Sequence, residues 1–91
     1  MAGRVDLGSV MPSVSPSQIR AARGMLDWSM MDLARAAQVS ISTVKRFEVE
    51  GTQSVSDQTA ALMREALETA GIRFLSDDGD GPGLRHKRRR G

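Results

Sequence analysis

The side chains in this sequence that are spaced for chemistry lie in a short polar stretch, residues 40–51. Ser42 and Arg46 are four residues apart, so they share one face if the stretch is helical, with Val44 and Phe47 on the opposite face. A guanidinium can donate two parallel hydrogen bonds, and a hydroxyl can donate or accept one. The pattern therefore predicts an exposed helix face that recognises a polar surface.

Catalysis is the interpretation that the sequence supports least. The only histidine is His86, and no pairing of a nucleophile with a base, metal-ligand cluster or phosphate-binding glycine loop is present. Asp77, Asp78 and Asp80 resemble part of a calcium loop, but the spacing and the final Glu of that motif are missing, which favours a solvated turn. We expect neither an enzyme nor a bound metal or cofactor.

Two helix start signals surround the polar stretch. Ser29 can cap one helix, with Asp32 three residues on completing a capping box, and Ser40 can cap the next, which Gly51 follows. Only residues 37–39 separate the two helices, so the connection must be a tight turn. This arrangement predicts a helix-turn-helix unit, which places its second helix in the major groove of DNA. The alternative is a plain helical hairpin.

Further helices are expected on both sides of this unit. Residues 1–15 lack sustained periodicity and predict a flexible N-terminal arm. Pro16 opens a helix that runs to about Leu26. A later helix begins near Ser56 or Asp57, and its apolar stripe has three- and four-residue spacing: Thr59, Leu62, Met63, Ala66, Leu67 and Ala70.

After Gly71 the pattern changes. Residues 72–75 alternate imperfectly and predict a short strand, and residues 84–86 could pair back with it. Residues 76–91 are expected to form a Gly- and Asp-rich turn followed by a basic tail. The domain proper is thus expected over residues 16–75.

Composition sets further limits. The chain has 91 residues, enough for one small domain, and no cysteine, so disulfides and thiol chemistry are excluded. No apolar run has the length of a membrane span and no signal peptide is evident, which predicts a cytoplasmic protein. The net charge of +2 conceals an asymmetry: residues 1–84 hold eight basic and eleven acidic side chains, and five basic residues follow from Arg85 onward. Basic tails commonly meet phosphate, and the alternative is a solubilising end.

Residues 17–75 resemble the lambda-repressor-like, or XRE/Cro, family of helix-turn-helix DNA-binding domains. The resemblance rests on three segments: QIRAARGML, MMDLARAAQVSISTVKRFE and TAALMREALETAGIRFL. It implies an all-α fold of four to five short helices with a short C-terminal β-strand and flexible tails. It also implies core positions at Leu33, Ala34, Val39, Val44 and Phe47.

The resemblance implies roles for individual residues. Ser42 and Arg46 match positions that reach base edges, and Arg23 and Glu48 match a structural ion pair. Arg46 could donate twice to guanine, and Ile41 offers an apolar contact to a thymine methyl. The DNA backbone would be held by Thr43, Lys45, Arg35 and Ser40.

Two residues depart from the family pattern. Met30 stands where a polar residue usually holds a phosphate, and Gln38 stands where the turn usually has glycine, so it must adopt that backbone conformation at a cost. Backbone amides at the helix N-terminus could still serve the phosphate.

Few contacts from one helix favour a homodimer that reads a palindromic operator in double-stranded DNA. Ile72 and Phe74 are candidates for a strand at the dimer interface, and the alternative is an internal hairpin with residues 84–86. The expected function is a sequence-specific transcriptional regulator, most simply a repressor. The alternative is an interaction module, such as an antitoxin or anti-regulator, that binds a protein partner.

Overall fold

Four α-helices and one small antiparallel sheet make up the part of the chain that the structure describes. The computed structural model describes residues 14–75 and 83–86. The helices are α1 (Pro16–Leu26), α2 (Met30–Ala37), α3 (Ile41–Glu50) and α4 (Asp57–Thr69), with a 3₁₀ turn at Thr52–Ser54, and the strands are β1 (Ile72–Leu75) and β2 (Gly83–His86). The predicted mostly helical fold is confirmed. None of these helices in the described part of the chain has the length and apolar character to cross a membrane.

A serine begins each of the four helices. The side chains of Ser15, Ser29, Ser40 and Ser56 each accept a hydrogen bond from the backbone amide three residues on. Ser15 and Ser29 take part in full capping boxes, with Gln18 and Asp32 respectively. These bonds satisfy amides that the helix itself leaves unpaired. The helix starts predicted from these serines are confirmed.

Left-handed backbone ends the first two helices. Asp27 closes α1 at φ 58° and Gln38 closes α2 at φ 61°. The predicted left-handed conformation of Gln38 is confirmed. It costs more conformational free energy than that of Asp27, because short Asn and Asp side chains tolerate this region better. The turn after α2 is thereby tight enough for α3 to begin at Ile41.

One core lies between the helices and the inner face of the sheet. Its largest fully buried side chains are Phe47, Ile19, Leu33, Met63, Leu67 and Val44. The small Ala34 and Ala37 are also buried, and they let α2 approach its neighbours closely. Val39 packs against the core as a half-buried residue. The predicted core positions of α2 and α3 are therefore confirmed.

The structure contains the internal hairpin. Strands β1 and β2 pair antiparallel, with Ile72 opposite His86 and Phe74 opposite Leu84. Ile72 is buried and Phe74 packs against the core, with the Arg64 guanidinium 5.2 Å from its ring centroid. Ile72 and Phe74 therefore face the protein's own interior, and their predicted place in a dimer strand is not tested by this pairing. Dimerisation itself stays a prediction.

Two further expectations need correction. Val14, placed in a flexible arm, is a core residue with 3% exposure, so the folded body begins before Pro16. Leu62, placed on the apolar stripe of α4, is 39% exposed, because the buried stripe narrows to Met63 and Leu67. The remainder of the predicted arm, the aspartate-rich turn and the tail from Lys87 lie outside the described residues.

Candidate functional site

The outer face of α3 carries the predicted base-reading side chains. Ser42, Lys45 and Arg46 are exposed, and Ile41 at the start of the helix is 41% exposed. The opposite face, with Val44 and Phe47, is fully buried. The structure thus brings the predicted base-reading residues together on one solvent-facing surface, held by a rigid inner face.

Ser40 and Thr43 share a hydrogen-bond network at the N-terminus of α3. The Ser40 hydroxyl accepts from the Thr43 amide at 3.0 Å, and the two side-chain hydroxyls are 2.8 Å apart. One hydroxyl proton is used between them, so one remains to donate to an outside acceptor. In this arrangement the pair has one hydroxyl proton free for a phosphate, and the predicted backbone contacts of Ser40 and Thr43 stay a prediction.

A buried ion pair fixes the orientation of α3. The Glu48 carboxylate accepts from Arg23 Nε at 2.7 Å and from Arg23 Nη2 at 2.8 Å, and Arg23 Nη1 donates to the Trp28 carbonyl at 3.0 Å. The hydrogen bonds to Glu48 raise the pKa of Arg23, against the opposing effect of its burial. The predicted ion pair is confirmed, and Glu48, with 8% exposure, belongs to the fold.

The N-terminus of α2 carries the negative charge of Asp32 close to Arg35. Met30 is half-buried against the core, and the Asp32 carboxylate accepts the Ser29 amide at 2.9 Å. That backbone hydrogen bond is the main reason that the pKa of Asp32 is lowered, with smaller contributions from the Ser29 side chain and from Arg35. A phosphate approaching the exposed Arg35 would thus meet a neighbouring carboxylate charge.

Two residues that the sequence interpretation missed complete this surface. Val49 is 72% exposed and lies three residues after Arg46, on the stripe that continues from Ser42. Ser54 donates to the Gly51 carbonyl at 2.7 Å, with the Arg46 carbonyl at 3.3 Å, and so supports the C-terminal end of α3. Val49 could have been found from the helical spacing. Ser54 could have been found from its place three residues after a glycine that ends a helix.

The remaining chemistry of the described residues is sparse. They contain no group of three or more His, Asp or Glu side chains that could hold a metal ion. Across residues 14–75 and 83–86, the grouping of Ile41, Ser42, Lys45 and Arg46 is therefore the strongest candidate site.

Comparison with known proteins adds no assignment. No protein-family model, curated protein or solved structure matches the chain. The candidate site is consequently judged on its own geometry.

Proposed function

We propose that the protein is a sequence-specific DNA-binding regulator of the lambda-repressor-like helix-turn-helix type, with α3 as its recognition helix. The observation that carries the proposal is the division of α3 into a buried face and an exposed face with Ser42 and Arg46. Supporting it, the tight turn at Gln38 and the Arg23–Glu48 pair hold α3 against α1 and α2. An exposed helix held in this way can enter a major groove without reorganising first.

Each exposed side chain then has a role set by its chemistry. Arg46 donates to the O6 and N7 atoms of guanine, Ser42 contacts a neighbouring base edge, and Ile41 contacts a thymine methyl. Lys45, together with the free hydroxyl of the Ser40 and Thr43 pair, contacts phosphates and sets the register. Arg35 contributes a weaker phosphate contact because Asp32 is close to it.

A homodimer follows from the small number of these contacts. One good pairing of an arginine with guanine contributes roughly 1–3 kcal/mol of discrimination, which falls short of the roughly 4–10 kcal/mol that separates specific from non-specific binding. Two copies of α3 on a palindromic site would supply the difference. The hairpin leaves the dimer surface to be located by experiment.

Arg46→Ala tests the proposal most simply. We expect the variant to keep its fold, because Arg46 is exposed, and to lose roughly 1–3 kcal/mol of affinity for the preferred sequence, with relaxed preference at one base pair. Fluorescence anisotropy with a matched and a single-substituted duplex measures this. Arg20→Ala, which removes an exposed arginine from α1, is the control and should leave the preference intact.

A protein-binding role is the second candidate, and one observation favours it. An open groove of about 420 Å³ lies between α2 and α4, with Trp28, Leu62 and Ala66 among its apolar lining residues and Gln38, Glu65 and Thr69 as its polar ones. An antitoxin or anti-regulator of this kind would bind an apolar segment of its partner there. Binding of one stoichiometric partner that Leu62→Glu abolishes, together with no salt-sensitive DNA binding, would favour this role over the first.

A further inference from the structure

Two arginines lie opposite each other on the hairpin. Arg73 on β1 and Arg85 on β2 are directly opposite each other in the strand register, and both are exposed. Residues directly opposite in an antiparallel pair have Cβ atoms only about 4.5–5.5 Å apart. Two positive charges are therefore held side by side on the outer face of the sheet.

No carboxylate among the described residues forms an ion pair with Arg73 or Arg85. The ion pairs of the described residues join Arg23 to Glu48 and Arg64 to Glu68, and neither Arg73 nor Arg85 takes part in one. Glu68 lines the same shallow cavity of about 260 Å³ as the two arginines, but its carboxylate accepts from Arg64 Nε at 3.0 Å. The other residues lining that cavity, Gly71 and Ile72, carry no charge.

Like charges directly opposite each other destabilise a sheet, so the hairpin as a purely structural element gains nothing from this arrangement. An anion between the two guanidinium groups would reverse the sign of the effect. Arginine is the side chain best suited to bind phosphate, because its planar donors match the phosphate oxygens.

We propose that Arg73 and Arg85 form a phosphate-binding site whose occupant is a backbone phosphate of DNA. The proposal rests on the proposed function in taking DNA as the source of the phosphate. DNA is favoured over a small phosphorylated ligand because both arginines are exposed and the sequence continues with His86 and four further basic residues, Lys87–Arg90. A run of charge suits a polyanion.

The experiment measures how DNA affinity depends on salt for the Arg73→Gln/Arg85→Gln variant of the full chain. Each lost phosphate contact reduces the slope of log K against log salt concentration by about 0.9. We expect the variant, which loses one phosphate contact, to show a slope shallower by about 0.9 than the wild type, on random duplex and on a selected site alike. Arg20→Gln, which removes an exposed charge elsewhere, is the matched control and should leave the slope unchanged.

The outcomes distinguish failure of the phosphate site from failure of the proposed function. An unchanged slope for the double variant on every duplex, with no stabilisation of the wild type by inorganic phosphate, overturns the phosphate site, even if a preferred sequence exists. A reduced slope on random duplex supports it, even if no preferred sequence exists and the proposed function fails. Stabilisation of the wild type but not the variant by inorganic phosphate, with an unchanged DNA slope, assigns the site to free phosphate and overturns the DNA occupant. Thermal unfolding of each variant establishes that it is folded.

Discussion

The ion pair Arg23–Glu48 and the opposed arginines Arg73 and Arg85 have opposite roles in this small protein. Arg23 is mostly buried, and its guanidinium donates two hydrogen bonds to the Glu48 carboxylate, which balances its charge, and one to the Trp28 carbonyl. Arg73 and Arg85 are exposed and face each other across a hairpin without an ion-pair partner in the described part of the chain. The first arrangement serves the fold, since its charge is satisfied internally. The second places unmatched charge where an outside anion can reach it.

Breaking the first pair should have the largest effect on stability. Glu48→Ala leaves the Arg23 guanidinium without its carboxylate. Because the Arg23 side chain keeps 15% exposure to water, we expect a loss between the ~1 kcal/mol of an exposed pair and the roughly 3–5 kcal/mol of a fully buried one. We expect a correspondingly lower urea midpoint in circular dichroism measurements. Replacement of both residues, as Arg23→Met/Glu48→Leu, should recover much of the loss. A loss below about 1 kcal/mol for Glu48→Ala would mean that the pair behaves as an exposed one.

Removal of the Asp32 carboxylate, which takes part in the capping box of α2, should have an intermediate effect on stability, and that effect should depend on pH. The Asp32 carboxylate has a lowered pKa because it accepts the Ser29 amide, so its stabilising contribution is present above the ordinary pKa of aspartate and is lost as pH falls through the lowered value. Asp32→Ala should therefore be less stable than the wild type at neutral pH, and the difference should shrink in acid.

The Ser29→Ala variant is the control for this measurement. Loss of an N-cap hydroxyl costs about 1 kcal/mol, and because the hydroxyl does not titrate and contributes less to the lowered pKa of Asp32 than the Ser29 amide does, most of the cost should persist in acid. Urea unfolding at neutral and acidic pH measures both variants. A difference between Asp32→Ala and the wild type that grows as the pH falls would contradict the assigned role of the carboxylate.

A change in the exposed pair, Arg73 and Arg85, should have the smallest effect on stability, and it should raise stability rather than lower it. Arg73→Gln removes one of two opposed like charges and should raise stability by roughly 0.2–1 kcal/mol at low ionic strength. The gain should vanish near ~1 M salt, where the screening length is ~3 Å. Urea midpoints at both salt concentrations, with Arg20→Gln alongside, provide the test. Destabilisation by Arg73→Gln would show that the charge is already matched, for instance by Glu68.

Local chemistry explains why much of the fold was predictable. Serine caps and apolar spacing act within a few residues, so the starts of all four helices and the buried faces of α2 and α3 follow from the sequence. The outer face of α3 was predictable for the same reason.

Long-range contacts explain what the sequence could not provide. Gln18 is buried near the Gly83 carbonyl, 65 residues away, and Val14 joins the core only because the remainder of the fold covers it. The pairing of β1 with β2, and with it the opposition of Arg73 and Arg85, depends on register that local patterns leave open.

The central claim, that the exposed face of α3 reads DNA sequence, is tested most directly by selecting bound duplexes from a random pool with the wild type and with Arg46→Ala. The account predicts that the wild type enriches a defined half-site containing a guanine, and that Arg46→Ala loses the preference at that base pair while the other positions persist. Enrichment of the same motif by both proteins, or of no motif by the folded wild type, would contradict it.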